Sequence, residues 1–384
     1  MNPFVFSCLT RIIFGEHMAA TAADVCKEYG GTKALIVTDE ILFKRGTLQA
    51  VLSGFKEDEY VLYTDVPSDS DIDCVNAAAK LAKDSKCDCV LAVGGGSVID
   101  TAKVVNICLS LGGELLDYEG LNNLSKPLLP LIAIPTTAGT GSEVSVVAMV
   151  MNNAEHKKLL FGSRYLAPNA AILDPFFIIS LPPKLTAATG LDALTHCIES
   201  YSALISQSPF TDALCLDSMR MLFEYLPRAT MNGDDLEART ATLVASTMAG
   251  LAFTNSGVGI VHALAHATGA KFSTHHGLTN SVFLPFGMYF NLDVVSQRYA
   301  ALARGLGFSR STNDEEASDA LIKSVEQLSQ RVGLPSRLRD LGVPELKNTQ
   351  LQELAYLAST DPAIMFNPKE CSLEDIIDIY ERAY

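Results

Sequence analysis

The sequence is short of positive charge: 29 Lys and Arg stand against 44 Asp and Glu, a formal net charge of −15. Nucleic-acid backbones and anionic membrane surfaces both demand clustered Lys and Arg, so neither is expected as a partner. No run reaches the roughly 18 apolar residues that a membrane span requires. The opening MNPFVFSCLTRIIFG lacks a basic leader and carries Arg11 within its apolar run, so it does not read as a secretory signal. Nine cysteines are scattered, and the closest pair, Cys87 and Cys89, is spaced C-x-C and not C-x-x-C. They read as reduced thiols of a cytoplasmic protein, chiefly core filler. Internal repeats are missing, and so is the G-x-G-x-x-G fingerprint of the common dinucleotide fold.

At 384 residues, 48% of them apolar, the chain is too long for one comfortable core and two domains are expected. ALIVT (34–38), YVLY (60–63), DCVLAV (88–93) and LPLIAI (129–134) are short β-rich runs, with helical spacing over 71–83. Strand, helix and strand at this rhythm predict an α/β domain with a parallel sheet and crossover helices. Residues 145–174 read as extended and stop at Pro175. From LPPKLTAATG onward the period is helical. In TNDEEASDALIKSVEQLSQRVGLP, Thr312 and Glu315 have capping-box spacing, and Ala317, Leu321, Val325, Leu328 and Val332 share a face. The expected division is an α/β domain over 1–183 and an all-helical domain over 184–384.

Two glycine turns follow predicted strands. In DCVLAVGGGSVID the glycines let backbone approach a ligand, and the helix start behind them, with Ser97 as expected N-cap, suits a pyrophosphate. IPTTAGTGSEVS sets Thr136, Thr137, Thr140, Ser142 and Ser145 around two glycines, offering small hydroxyl donors. Together the loops favour a dinucleotide. Asp39, closing ALIVTD, can accept from adenosine ribose hydroxyls and would repel a 2′-phosphate, which predicts NAD. A plain helix-capping role from the same position stays open.

Only seven histidines exist, and five fall in three motifs of the helical half. GLDALTHCIE puts Asp192 and His196 one turn apart on a helix, GIVHALAHATG does so with His262 and His266, and THHGLTN adds His275 and His276. One carboxylate with several imidazoles is a ligand set for Fe(II) or Zn(II). The spacing alone leaves open which of His262 and His266, and which of His275 and His276, ligates.

GGGSVID, IPTTAGTGSEVS, AATGLDALTHCIE, GVGIVHALAHATGA and HHGLTNSVFLP, in this order, resemble the signatures of the iron-containing (group III) alcohol dehydrogenases, from RIIFGEH to NPKECSLEDIIDIY. The resemblance implies Asp192, His196, His262 and His276 as metal ligands, with His266 a non-ligand that passes the proton and Phe253 lining the substrate pocket. It marks Asp39, Gly95, Gly96, Ser97, Asp100, Thr136, Thr137, Thr140 and Lys158 as cofactor contacts. His275 stands where the family often has proline and is expected to face solvent. DPAIMFNPK departs from the family pattern and implies a different apolar wall at Ile364 and Met365. The implied activity is hydride exchange between NAD(H) and a small primary alcohol or aldehyde, with iron or zinc, in a homodimer or higher oligomer. The alternative is a lyase of the related dehydroquinate-synthase type, which uses NAD and metal without net oxidation and needs a basic cluster that these motifs lack.

Overall fold

The computed structural model describes residues 3–154, 157–179 and 181–384. The chain forms two compact units: Cys8–Leu181, and Pro182–Tyr384 together with the N-terminal residues through Ser7. The first residues thus group with the helical unit, although the sequence reading put them with the sheet. Asn255 brackets the Ser7 backbone, accepting from its N–H at 2.7 Å and donating to its carbonyl at 3.1 Å. Phe6 stacks on Phe210 at 5.2 Å.

Among the described residues the first unit has strands β1 (Arg11–Phe14), β2 (Ala34–Val37), β3 (Tyr60–Tyr63), β4 (Cys89–Gly94) and β5 (Gly120–Leu121). β6 (Leu131–Pro135), β7 (Val147–Asn152), β8 (Lys157–Gly162) and β9 (Ala170–Leu173) follow. Its helices are α1 (Ala22–Glu28), α2 (Glu40–Lys44), α3 (Gln49–Leu52), α4 (Ile72–Asp84) and α5 (Gly96–Ser110). A parallel sheet runs in the order β1-β9-β6-β4-β2-β3, and β5-β8-β7 form a small second sheet in which β7 and β8 are antiparallel.

Side chains alternate across the strands. Leu35, Val37, Val90, Ala92, Leu131 and Ala133 join one core with α4 and α5, while Ala34, Ile36, Leu91, Val93, Ile132 and Ile134 join the other with α1. A strand buried on both faces can be apolar at every position, which is why these runs are continuous. Each fully buried aliphatic side chain contributes about 1.5–3 kcal/mol. From β2 the chain goes to β3 on one side and to β4 on the other. Beyond the carboxyl ends of β2 and β4, such a switch point is where open α/β sheets bind ligands. Asp39 follows β2 and Gly95 follows β4.

The second unit comprises α6 (Pro183–Ser202), α7 (Pro209–Met231), α8 (Leu236–Ser256), α9 (Ile260–Phe272), α10 (His276–Gly305), α11 (Asp314–Arg331), α12 (Asn348–Ser359) and α13 (Leu373–Ala383) around one apolar core. α11 carries the expected buried face, but its N-cap is Asn313, whose Oδ1 accepts from Glu315 and Glu316 N–H, and not Thr312. No single helix among the described residues is long and apolar enough to cross a membrane.

α6 and α10 approach at Gly277, where an added Cβ would lie 2.5 Å from the Ala188 carbonyl oxygen. Backbone cannot swing aside as a side-chain tip can. Gly277→Ala is therefore expected to lower stability by about 1–3 kcal/mol, read from urea unfolding; an unchanged midpoint would show that the two helices separate without cost.

Candidate functional site

Helix α6 carries Asp192, His196 and Glu199 at i, i+4 and i+7, one face of the helix, and all three are buried. α8 ends at Ser256, and the chain bends by 103° into α9 through Gly257, whose φ of 80° favours glycine. The first N–H groups of a helix lack internal partners and attract negative charge. Here Glu199 Oε1 accepts from Val261 N–H at 2.7 Å, and Asn367 Oδ1 accepts from Ile260 N–H at 3.2 Å. Glu199 Oε2 lies 2.5 Å from His262 Nδ1. A carboxylate against Nδ1 keeps the proton there and leaves Nε2 as the lone pair.

That lone pair meets others. Asp192, His196 and His262 each offer one ligand atom, all within 4.8 Å of one another. His276, the first residue of α10, brings Nε2 to 3.5 Å from Asp192 Oδ1, and His262 Nε2 lies 3.9 Å from the same oxygen. Bonds near 2.1 Å give a tetrahedral ligand–ligand edge of roughly 3.4 Å. The observed spacing fits a single cation after slight contraction.

Asn280, one turn beyond His276, tests the fit. Its Nδ2 lies 2.7 Å from Asp192 Oδ1, 3.3 Å from His262 Nε2 and 3.1 Å from His276 Nε2. Asp192 Oδ1 and, in the tautomer that Glu199 sets, His262 Nε2 are acceptors crowded on this one nitrogen. His276 Nε2 is a third when its own proton is on Nδ1, and Asn280 Oδ1 is buried without a hydrogen-bond partner. Such a buried surplus of lone pairs is relieved by a cation. The donor set therefore fits a divalent metal. Burial opposes charge on Asp192, yet the imidazoles of His196, His276 and His262 outweigh it and hold the carboxyl at about 2. Burial also disfavours protonated His262, but Glu199 prevails and lifts it above the ordinary 6.5.

Around this centre, Phe253 stacks on His196 at 4.5 Å. His266 Nδ1 lies 2.9 Å from Asp361 Oδ2, and its ring stacks on His276 at 5.3 Å. The His266 side chain is 20% exposed, enough for exchange with solvent. Burial would raise Asp361, but His266 overcomes this and holds it below the usual carboxylate range. His275 is exposed at the N-cap of α10. Ile364 packs against the helical core, while Met365 is 65% exposed.

In the first unit the two glycine loops touch. Thr136 N–H donates to the Gly94 carbonyl at 3.0 Å where β6 pairs with β4. A Cβ at Gly95 would lie 3.1 Å from Thr137 Cγ2, and one at Gly96 would lie 2.7 Å from Thr140 Cγ2. The glycines thus admit the second loop as well as any ligand. Gly95, not Ser97, is the N-cap of α5, and the Ser97 hydroxyl donates to the Ser68 carbonyl. Asp39 caps α2, its Oδ1 accepting from Leu42 N–H at 2.9 Å. Asp100 Oδ2 accepts from Met149 N–H at 2.9 Å, and burial raises its pKa. Lys158 Nζ lies 3.4 Å from Asp69 Oδ1.

Sequence reasoning passed over Glu199, Asn280, Asp361, Ser68 and Asp69. Glu199 follows His196 by three residues and Asn280 follows His276 by four, so helical spacing could have flagged both. Asp361 stands 95 residues from His266, and no local pattern links them.

Comparison with known proteins adds the following. The model of the iron-containing alcohol dehydrogenases matches residues 10–175, and that of the C-terminal part of the Fe-containing alcohol dehydrogenase family matches 186–384. An NAD-dependent methanol dehydrogenase of Bacillus methanolicus is 37% identical over 361 residues, covering 93% of each chain. A crystal structure of a 1,3-propanediol oxidoreductase superposes with a TM-score of 0.95 at 33% identity, covering 100% of both chains. That of a sulfoacetaldehyde reductase from Bifidobacterium kashiwanohense, in complex with NAD+, gives 0.88 at 30% identity, covering 100% of this chain and 99% of the other.

The elevated His262 gives the metal-free protein stability that is complete below the ordinary 6.5 and is lost as pH rises through the raised value. Metal uptake runs the other way, because a protonated imidazole cannot ligate. Acidifying metal-loaded protein from about pH 8 to about pH 5 is expected to release the ion, seen by metal analysis after desalting. Equal retention at both ends would contradict the ligand set. Glu199→Ala is expected to weaken metal affinity by about 10–100-fold in a competition titration; unchanged affinity would reduce Glu199 to a helix cap.

Proposed function

The chain belongs to the iron-containing alcohol dehydrogenase family, and on that premise we propose that it interconverts a small primary alcohol and its aldehyde with NAD(H). Ferrous iron is the proposed metal, and the donor set also accepts zinc. The observation that carries this is the meeting of Asp192, His196 and His262 within 4.8 Å at a buried point rich in lone pairs. When bound, the cation supplies the positive charge that acidifies an alcohol hydroxyl, and the dinucleotide supplies the hydride acceptor.

Asp192, His196, His262 and His276 hold the metal in this reading. Glu199 keeps His262 in the tautomer whose Nε2 faces Asp192. His266, its Nδ1 engaged by Asp361, is left with Nε2 to accept the proton that leaves the alcohol. Phe253 covers one face of His196 with hydrocarbon, which excludes water from that side and favours a short aliphatic substrate. On the cofactor side, Gly95 and Gly96 bring the α5 N-terminus against the pyrophosphate. Thr136, Thr137 and Thr140 offer hydroxyls and N–H groups, and Lys158 offers positive charge. Asp39 stands at the β2 switch point, where an aspartate favours the free ribose hydroxyls of NAD. Ser97 and Asp100 stand on the same cofactor side in this reading, and their side chains also hold the Ser68 carbonyl and the Met149 N–H. Exposed Ile12 and Phe14 on the edge strand β1 support a homodimer. The unpatterned cysteines fit a reducing cytoplasm.

His262→Ala is expected to lose both metal and turnover while NADH binding persists. Chelation of the intact protein should likewise abolish turnover, with ferrous iron restoring it. NADH should appear in equal amount to aldehyde across a panel of short alcohols and diols. Full activity in metal-free His262→Ala protein would overturn the assignment.

A further inference from the structure

Lys103 is a charged side chain with no role in the chemistry above. It lies in the middle of α5 with no solvent exposure. Burying an ammonium is costly unless its donors are satisfied, and here all three are used. Lys103 Nζ donates to the Ser145 carbonyl at 3.0 Å, the Ser145 hydroxyl at 2.8 Å and the Val147 carbonyl at 2.8 Å. Asp100, one turn earlier on the same helix, accepts from Met149 N–H at 2.9 Å. These acceptors and donors lie on one stretch, the segment that leaves the second glycine loop and becomes β7. The N-terminus of α5 is the first glycine loop.

One helix therefore carries the first loop at its start and grips the exit of the second loop one and two turns further on. The contacts of Thr137 and Thr140 with Gly95 and Gly96 are the other end of the same arrangement. We propose that Lys103 is a positioning residue for the dinucleotide: by holding Ser145 and Val147 it fixes the Thr136–Thr140 loop against the N-terminus of α5. The inference rests on the reading of these loops as the NAD(H) site. A hydrocarbon of equal length fills the same space and lacks the donors. If Lys103 served stability alone, the replacement would lower the unfolding midpoint, because it leaves buried acceptors and the nearby carboxylates of Asp100 and Glu143 without their cation, while protein that still folds would keep its cofactor affinity. If it positions the loop, the replacement leaves Ser145 and Val147 without their partner, and the loop loses its register.

The test is NADH affinity, measured by nicotinamide fluorescence on the full-length metal-loaded protein. Lys103→Met is expected to raise the NADH dissociation constant by about tenfold or more, equivalent to roughly 1.4 kcal/mol. Metal affinity should stay within about twofold of wild type, since the ligands lie in the other unit. Val104→Ala serves as comparator. It removes buried hydrocarbon from the adjacent position of α5, and should lower thermal stability while leaving NADH affinity within the same margin. Should Lys103→Met fail to fold, Ser145→Ala, which removes one of the three acceptor atoms, is expected to weaken NADH by about threefold. Folded Lys103→Met protein with wild-type NADH affinity would overturn the inference, as would an equal loss in Val104→Ala. Failure of the underlying site assignment shows differently: wild-type protein itself would then take up no NADH.

Discussion

Glu199 is the side chain on which the candidate metal centre turns. One of its oxygens holds the start of α9 and the other sets the ring of His262, so a single carboxylate ties helix position to imidazole orientation. Because it is buried, its hydrogen bonds form in a low-dielectric interior, where they are stronger than in water. The bend at Gly257 has meaning only with this partner, since it presents the orphan N–H groups of α9 to a carboxylate that already stands on α6. The same helix supplies Asp192 and His196, so one face of α6 carries three of the groups around which His262 of α9 and His276 of α10 gather.

The opposite logic holds in the sheet unit. There the groups proposed to meet the cofactor are backbone and small hydroxyls, and they are braced from behind. α5 bears an acidic and a basic residue one turn apart, both directed into the protein and both engaged with main chain of the neighbouring loop. Loops that present backbone to a ligand have little side-chain bulk with which to hold themselves, so their order must be supplied by a regular element.

Much of this was readable before any coordinates. Runs such as ALIVT and LPLIAI are apolar at successive positions because both faces of a central parallel strand are covered, and their identification needed no long-range knowledge. Asp192 and His196 declared themselves through helical spacing. The choice of His262 over His266 as the ring beside Asp192 was not legible from spacing, because it depends on which carboxylate each meets: Glu199 lies 63 residues from His262, and Asp361 lies 95 residues from His266. Caps were the weakest point. Ser97 and Thr312 had the right chemistry, but Gly95 and Asn313 occupy the positions because a cap is decided by where the helix axis points. Asp39 shows why two readings of one residue need not compete, as one oxygen is spent on Leu42 N–H and the carboxylate remains at the switch point.

The clasp of Asn255 on Ser7 makes the sheet unit an insertion within the chain of the helical one. During synthesis Phe6 and Ser7 emerge ahead of the sheet unit, yet their partners Phe210 and Asn255 emerge only after it. Residues Cys8–Leu181 group as one compact unit, and domains generally fold as units, whereas the segment before it has its partners in the helical unit. The helical unit is thus closed by a contact between residues 248 positions apart, with the whole sheet unit lying between them in sequence.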